Sequence, residues 1–172
     1  MNNKTFVRKL NKLEACTEAV DWVKTHGGTA SECWQNCEHG DWMAWLAAKT
    51  PSITRRQLVG ALAECAELSL KYYEKVYPND KRVRECLEVC RAYSRGEATD
   101  KELASAAAYA SAAASAAAYA SAAAYASAAA AYASAAVYAS AAASAAASRT
   151  KTIKKCADIF RKHFPDLFKE KE

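Results

Sequence analysis

Apolar side chains return every three or four positions through the first hundred residues, the period of a helix surface rather than the alternation of a strand. Leu10, Leu13, Cys16, Val20 and Val23 predict one amphipathic helix, stopped by the Gly27-Gly28 pair. Thr29 followed by Glu32 has the form of a capping box and opens a short helix through Cys33, Trp34 and Cys37. Gly40 is expected to end it, with Asp41 as the N-cap of a further short helix over residues 42–47 that Pro51 closes. Thr54 with Gln57 repeats the capping box ahead of the stripe Leu58, Leu62, Cys65, Leu68 and Tyr72. Pro78-Asn79-Asp80 reads as a turn, with Asp80 capping a helix whose stripe is Val83, Cys86, Leu87, Cys90 and Tyr93 and which stops near Gly96. Thr99 with Glu102 is a third capping box. No strand pattern occurs, so the expected fold is all-α, a multi-helix bundle.

Beyond Leu103 the pattern gives way to composition. From Ala104 to Ser148 the chain runs 45 residues on alanine, serine and tyrosine with one valine, without charge, glycine or proline. Alanine loses no side-chain entropy in a helix, so a long helix, or a helix pair, is expected over residues 100–163. One straight helix from Thr99 to His163 would measure about 97 Å, far longer than a small domain is wide. The tyrosines recur at Tyr109, Tyr119, Tyr125, Tyr132 and Tyr138, irregular steps that scatter the rings around a helix and build no heptad seam. All 43 charged residues and every tryptophan, phenylalanine and leucine lie outside the tract. The core is therefore expected from residues 6–94 and 153–168, with the tract offering small faces to pack on. One domain is expected: a Trp- and Cys-rich helical region over 1–98, the alanine-rich segment 99–163 packed on it, and a C-terminal tail over 164–172.

Net charge is +5, but lysine and arginine are spread from Lys4 to Lys171 without a long basic run. A nucleic-acid partner needs a focused basic face and is not expected, whereas an anionic small molecule or an acidic protein partner fits the charge. Seven cysteines behind an N-terminus without an apolar signal core point to a reducing cytoplasm, and their odd number excludes complete pairing within one chain. Alanine buries little area and the tract keeps serine and tyrosine hydroxyls, so no membrane residence is expected.

Cys33 with Cys37, and Cys86 with Cys90, share helix faces, and with His26 or His39 a zinc site can be drawn. These positions fall on apolar stripes, however, where free cysteine serves as a small core side chain. Neither a metal nor a cofactor is expected. No nucleophile–base pairing, phosphate loop or dinucleotide fingerprint occurs, so an enzyme is not expected either.

Trp34, Trp42 and Trp45 fall within twelve residues, beside His39 and Asp41. Two of the three indoles are expected in the core, leaving His39-Gly40-Asp41 as an exposed polar corner and contact surface. Arg82, Arg84, Arg91 and Arg95 crowd one helix, and Arg55 and Arg56 start another. Arginine forks recognise phosphate or carboxylate, but Glu64, Glu67, Glu85 and Glu88 are equally close and compete for them. The candidate contact residues are Trp34, His39, Asp41, Trp42, Arg82, Arg84 and Arg91.

The run 33–47, Cys-Trp-Gln-Asn-Cys-Glu-His-Gly-Asp-Trp-Met-Ala-Trp-Leu-Ala, resembles a segment of bacterial and phage proteins grouped as immunity proteins of polymorphic toxin systems, the Imm5-type family. Arg95-Gly96-Glu97-Ala98-Thr99 before the alanine-rich stretch and Cys156-Ala157-Asp158-Ile159 after it fit the same pattern. The family often carries arginine where this chain has His39. The resemblance implies a non-enzymatic protein that occludes a partner, a toxin or defence component, with a surface around His39, Asp41 and the arginine-rich helix. Two other uses of the scaffold stay open: a phage counter-defence protein that sequesters an anionic nucleotide signal, and a structural protein whose alanine-rich helix builds a homo-oligomer.

Overall fold

Three threonines begin three helices by the same local device. Thr29 Oγ accepts from the Glu32 amide at 3.2 Å while Glu32 Oε2 accepts from the Thr29 amide at 2.6 Å. Thr54 with Gln57 and Thr99 with Glu102 repeat the exchange. Each box satisfies amides that the first helical turn leaves without carbonyls. The backbone bond at Thr29 holds the Glu32 carboxyl below the usual range, and the one at Thr99 does the same for Glu102.

A computed structural model describes residues 1–116 and 146–168, and all regular structure among the described residues is α-helical. The helices are α1 (Asn3–Lys12), α2 (Thr17–His26), α3 (Ala30–Asn36), α4 (Gly40–Ala48), α5 (Arg55–Val76), α6 (Arg82–Arg95), α7 (Asp100–Ala116) and α8 (Ala146–His163). The expected all-α bundle is present. Residues 117–145 lie outside the described residues, and with them the length and continuity expected of a helix over 100–163.

The apolar stripe from Leu10 to Val23 belongs to two helices rather than one. The Ala15 amide turns back to the Leu10 carbonyl and the Glu14 amide to that of Asn11, both at 3.0 Å, which closes α1. This geometry places Glu14 at φ 61°, a left-handed conformation that glycine ordinarily fills. At the end of α6 the same pair of reversed bonds runs from Gly96 and Glu97 to Tyr93 and Ala92, there with glycine in the left-handed position.

Gly40, expected to stop a helix, is instead the first residue of α4, and His39 rather than Asp41 is its N-cap. Asp80 stands one residue before the N-cap of α6, yet its carboxylate still accepts from the Arg82 amide at 3.1 Å.

The main core joins α1–α5 to α8. Phe160, Cys156 and Ala157 of α8 are buried against Ala61, Leu62 and Cys65 of α5 and Met43 and Ala47 of α4. Residues 164–168, placed by sequence in the C-terminal tail, carry aromatic rings into this core. Phe164 is buried, and Phe168 lies 5.2 Å from the Phe6 ring and 5.9 Å from that of Trp34. Two smaller clusters join α5 to α6 and α7, around Tyr93 with Leu103 and around Leu70 with Leu87.

Candidate docking site

The region from Trp34 to Trp45 is fastened to the far end of the chain. Trp34 is 3% exposed, and its indole N–H donates to the Phe164 carbonyl at 3.0 Å. Gln35 Nε2 donates to the Pro165 carbonyl, and Arg161 Nη1 donates to the Cys37 carbonyl at 2.6 Å. Lys154 pairs with Glu38 at 2.6 Å. Between these ties α4 meets α8 at Gly40, where a Cβ would lie 2.5 Å from Cys156 Cβ and 2.7 Å from the Ala157 amide nitrogen. Glycine is required here by the close approach of two backbones.

This approach fixes the next three side chains. The His39 ring stacks on Trp42 with centroids 3.8 Å apart, and His39 Nδ1 is 4.0 Å from Asp41 Oδ1. That carboxylate oxygen is buried and accepts no hydrogen bond among the described residues. Trp42 meets Trp22 edge to face at 6.4 Å, and Trp22 in turn stacks on His26 at 4.7 Å. Cys37 donates its thiol to the His39 carbonyl, and burial pushes that thiol up to about 11. A thiol so placed stays protonated and unreactive at neutral pH.

Below these rings, α1 to α4 leave a cavity of about 50 Å³ walled by Phe6, Leu10, Val23, Cys33, Met43 and Leu46. The half-buried side chains of Ala15, Trp22, Trp42 and Trp45 also line it and give its outer rim. Charge along α1 to α4 is mixed, with Lys4, Arg8, Lys9 and Lys12 on α1. Residues 14–47 contain six acidic side chains and a single lysine. Asp21 pairs with Lys24 at 2.8 Å and Glu38 with Lys154, while exposed Glu14 and Glu18 form no ion pair among the described residues. Glu18 stands one helical turn before Trp22, so the two share a stripe of α2.

The seven candidate residues divide among three places. Trp34 is a core residue that supports the corner from beneath. His39, Asp41 and Trp42 come together as expected from their adjacency. Arg82, Arg84 and Arg91 lie on α6, which packs on α5 and α7. Each arginine is engaged by a carboxylate: Arg82 by Asp80 at 2.6 Å, Arg84 by Glu74 through two bonds of 2.7 Å, and Arg91 by Glu67. Arg55 pairs with Asp100 at 2.7 Å, and Arg56 donates to the Tyr93 carbonyl at 2.6 Å while lying over its ring. These pairs run mainly between helices, not along one helix face as i,i+4 neighbours. Sequence reasoning missed Trp22, which lies on the edge of the Val20–Val23 stripe and signals nothing until α4 brings Trp42 against it.

No group of three or more His, Cys, Asp and Glu side chains among the described residues is placed to hold a metal ion. No described helix is long and apolar enough to cross a membrane.

A family model described as "Imm-5 like putative immunity protein" matches residues 48–161, two thirds of the chain. The segments 95–99 and 156–159 fall inside the match and the run 33–47 precedes it, so the corner lies ahead of the matched span while the α6 arginines lie within it. No curated protein and no solved structure matches the chain.

Proposed function

The chain belongs to the Imm-5 like immunity protein family, and on that premise we propose that it is a non-enzymatic binding protein that occludes a toxin protein with the surface around His39, Asp41 and Trp42. The observation that carries this reading is the run of half-buried tryptophans beside an apolar cavity, held in place by four contacts from α8 and the turn after it. Tryptophan on a rigid support is the residue most enriched among interface anchors, because it buries a large area with little rotamer entropy to lose. Chemistry at the corner has little to work with: its nearest nucleophile is the protonated Cys37 thiol, committed to a carbonyl. The α6 arginines, already paired with carboxylates, serve as a polar flank.

Purified protein is mixed with the product of the gene encoded beside its own, and complex formation is followed by co-purification and calorimetry. A complex at micromolar concentration or tighter is expected, weakened about 30-fold or more by Trp42→Ala, as for an anchor worth about 2 kcal/mol. Helix content measured by circular dichroism checks that the variant is folded. Absence of a complex at micromolar concentration overturns the reading.

A further inference from the structure

Helix α1 carries four cations, Lys4, Arg8, Lys9 and Lys12, and no acid. None of the four forms an ion pair among the described residues. The arginines of α5 and α6, by contrast, are neutralised by carboxylates, as Arg55 is by Asp100 and Arg84 by Glu74.

At about 100° per residue, Lys4, Arg8 and Lys12 advance by only about 40° from one to the next, in steps of about 6 Å along the axis. They form one exposed stripe. Phe6 and Leu10 point the opposite way, into the core shared with Val20 and Val23 of α2, and Asn3 on that side donates to the Val23 carbonyl at 2.8 Å. Helix α2, with Glu18 and Asp21, therefore packs behind α1, away from the stripe. Lys9 stands at the flank, 5.6 Å from the Phe168 ring centre. The acids near the ends of α1 are Glu14, past its last turn, Glu32, bound in the Thr29 capping box, and Asp166, before Phe168. None of them pairs with the stripe.

Helix stability does not account for Lys4. The first turn is the positive end of the helix dipole, where a cation is unfavourable. First-turn Arg55 and Arg82 are relieved by Asp100 and Asp80, but Lys4 has no such partner. An incoming anion would be attracted by side chain and dipole together.

We propose that the outer face of α1 is an electrostatic docking strip for a carboxylate-rich segment of a protein partner. This goes beyond the toxin-binding reading and does not depend on Trp42. The face also lies ahead of the matched span 48–161, so family membership does not assign it. Carboxylates four residues apart on a partner helix also rise by about 6 Å per step and so match the stripe in register. Other occupants fit less well. The apolar side of α1 is spent in the core, leaving nothing to insert into lipid. Its exposed positions carry no aromatic ring on which bases could stack, and the stripe ends after three cations. A second copy paired two-fold would set cation against cation.

The test titrates the ¹⁵N-labelled full chain at low salt with a synthetic helical peptide bearing glutamate at every fourth position among alanines. Amide shift changes are expected to concentrate on α1, with an affinity that falls at least tenfold on raising the salt. Lys4→Glu/Arg8→Glu should weaken binding at least tenfold without lowering Tm, since a first-turn carboxylate favours the helix. Lys151→Glu/Lys155→Glu removes the same charge from exposed positions of α8 and should change affinity less than threefold. Trp42→Ala should leave peptide binding intact, which separates this strip from the toxin-binding corner. Absence of binding, shifts centred away from α1, or equal losses in the two charge variants overturns the proposal. So does tighter binding of an oligonucleotide or of phosphatidylserine vesicles through the same α1 amides, or loss of peptide binding in Trp42→Ala.

Discussion

Gly40 shows how a single hydrogen in place of a methyl group sets the distance between two helices. A Cβ there meets the backbone of α8, which has no rotamer with which to yield, as well as the Cβ of Cys156. Gly40→Ala is expected to cost about 2 kcal/mol or more through overpacking and to lower Tm by roughly 4–8 °C, read by scanning calorimetry. The His39–Trp42 stack should loosen with it, so the partner affinity of this variant should fall as well. Glu14 presents the opposite opportunity. A non-glycine residue at φ 61° carries roughly 1 kcal/mol of backbone strain, and Glu14→Gly should recover most of it as a higher urea midpoint with the m-value unchanged.

At the scale of elements, α5 and α8 are joined by a polar clasp as well as by their core. Glu64 accepts from Lys162 at 3.1 Å and lies 2.8 Å from His163 Nε2. Partial burial raises the Glu64 carboxyl, but the bonds from His163 and Lys162 outweigh that, and the net result is a value held below the usual carboxylate range. A carboxyl lowered in the folded state stabilises it above the unfolded pKa, and that contribution disappears as pH falls through the lowered value. Thermal melts of Glu64→Gln should therefore show a lower Tm than the parent at about pH 6, and the gap should close between about pH 5 and pH 3. A constant gap across that range would place the effect in packing rather than in charge.

Three helix starts were legible because a capping box is written within four residues, whereas the caps of α4 and α6 fell one or two residues from Asp41 and Asp80. The helix ends were less so. The break at Glu14 is invisible to periodicity, since the apolar stripe resumes in step across it and glutamate is not a residue that announces a left-handed turn. Gly40 looked like a stop because the cause of its smallness, Cys156 and Ala157, lies on a helix distant in sequence. The proximity of His39, Asp41 and Trp42 was legible, as they are near neighbours in the chain, but not their burial: Gly40 is buried and His39 and Asp41 are half-buried where an exposed corner was expected. The cavity was not, because its walls come from four helices and its rim needs Trp22 against Trp42.

Across the whole molecule, the cysteines report how the core is closed. Cys16 is exposed, Cys86 and Cys90 are half-buried, and Cys33, Cys37, Cys65 and Cys156 are buried. Brief iodoacetamide treatment of the native protein should alkylate Cys16 first, the α6 pair more slowly, and the four buried thiols only after denaturant is added, as mass spectrometry of the digested protein can score. Rapid alkylation of Cys65 or Cys156 in buffer would mean that α5 and α8 separate readily.

The bond from the Trp34 indole to the Phe164 carbonyl has a temporal consequence. Its partners are 130 residues apart, an interval that a ribosome elongating at about 5–20 residues per second covers in roughly 7–26 s. Throughout that interval the emerging front of the polypeptide lacks the aromatic lid that shields Phe6 and Trp34 from water. The nascent chain therefore exposes the Phe6 and Trp34 side chains while still tethered, and the support beneath α3 and α4 is completed only after the closing segment has been translated.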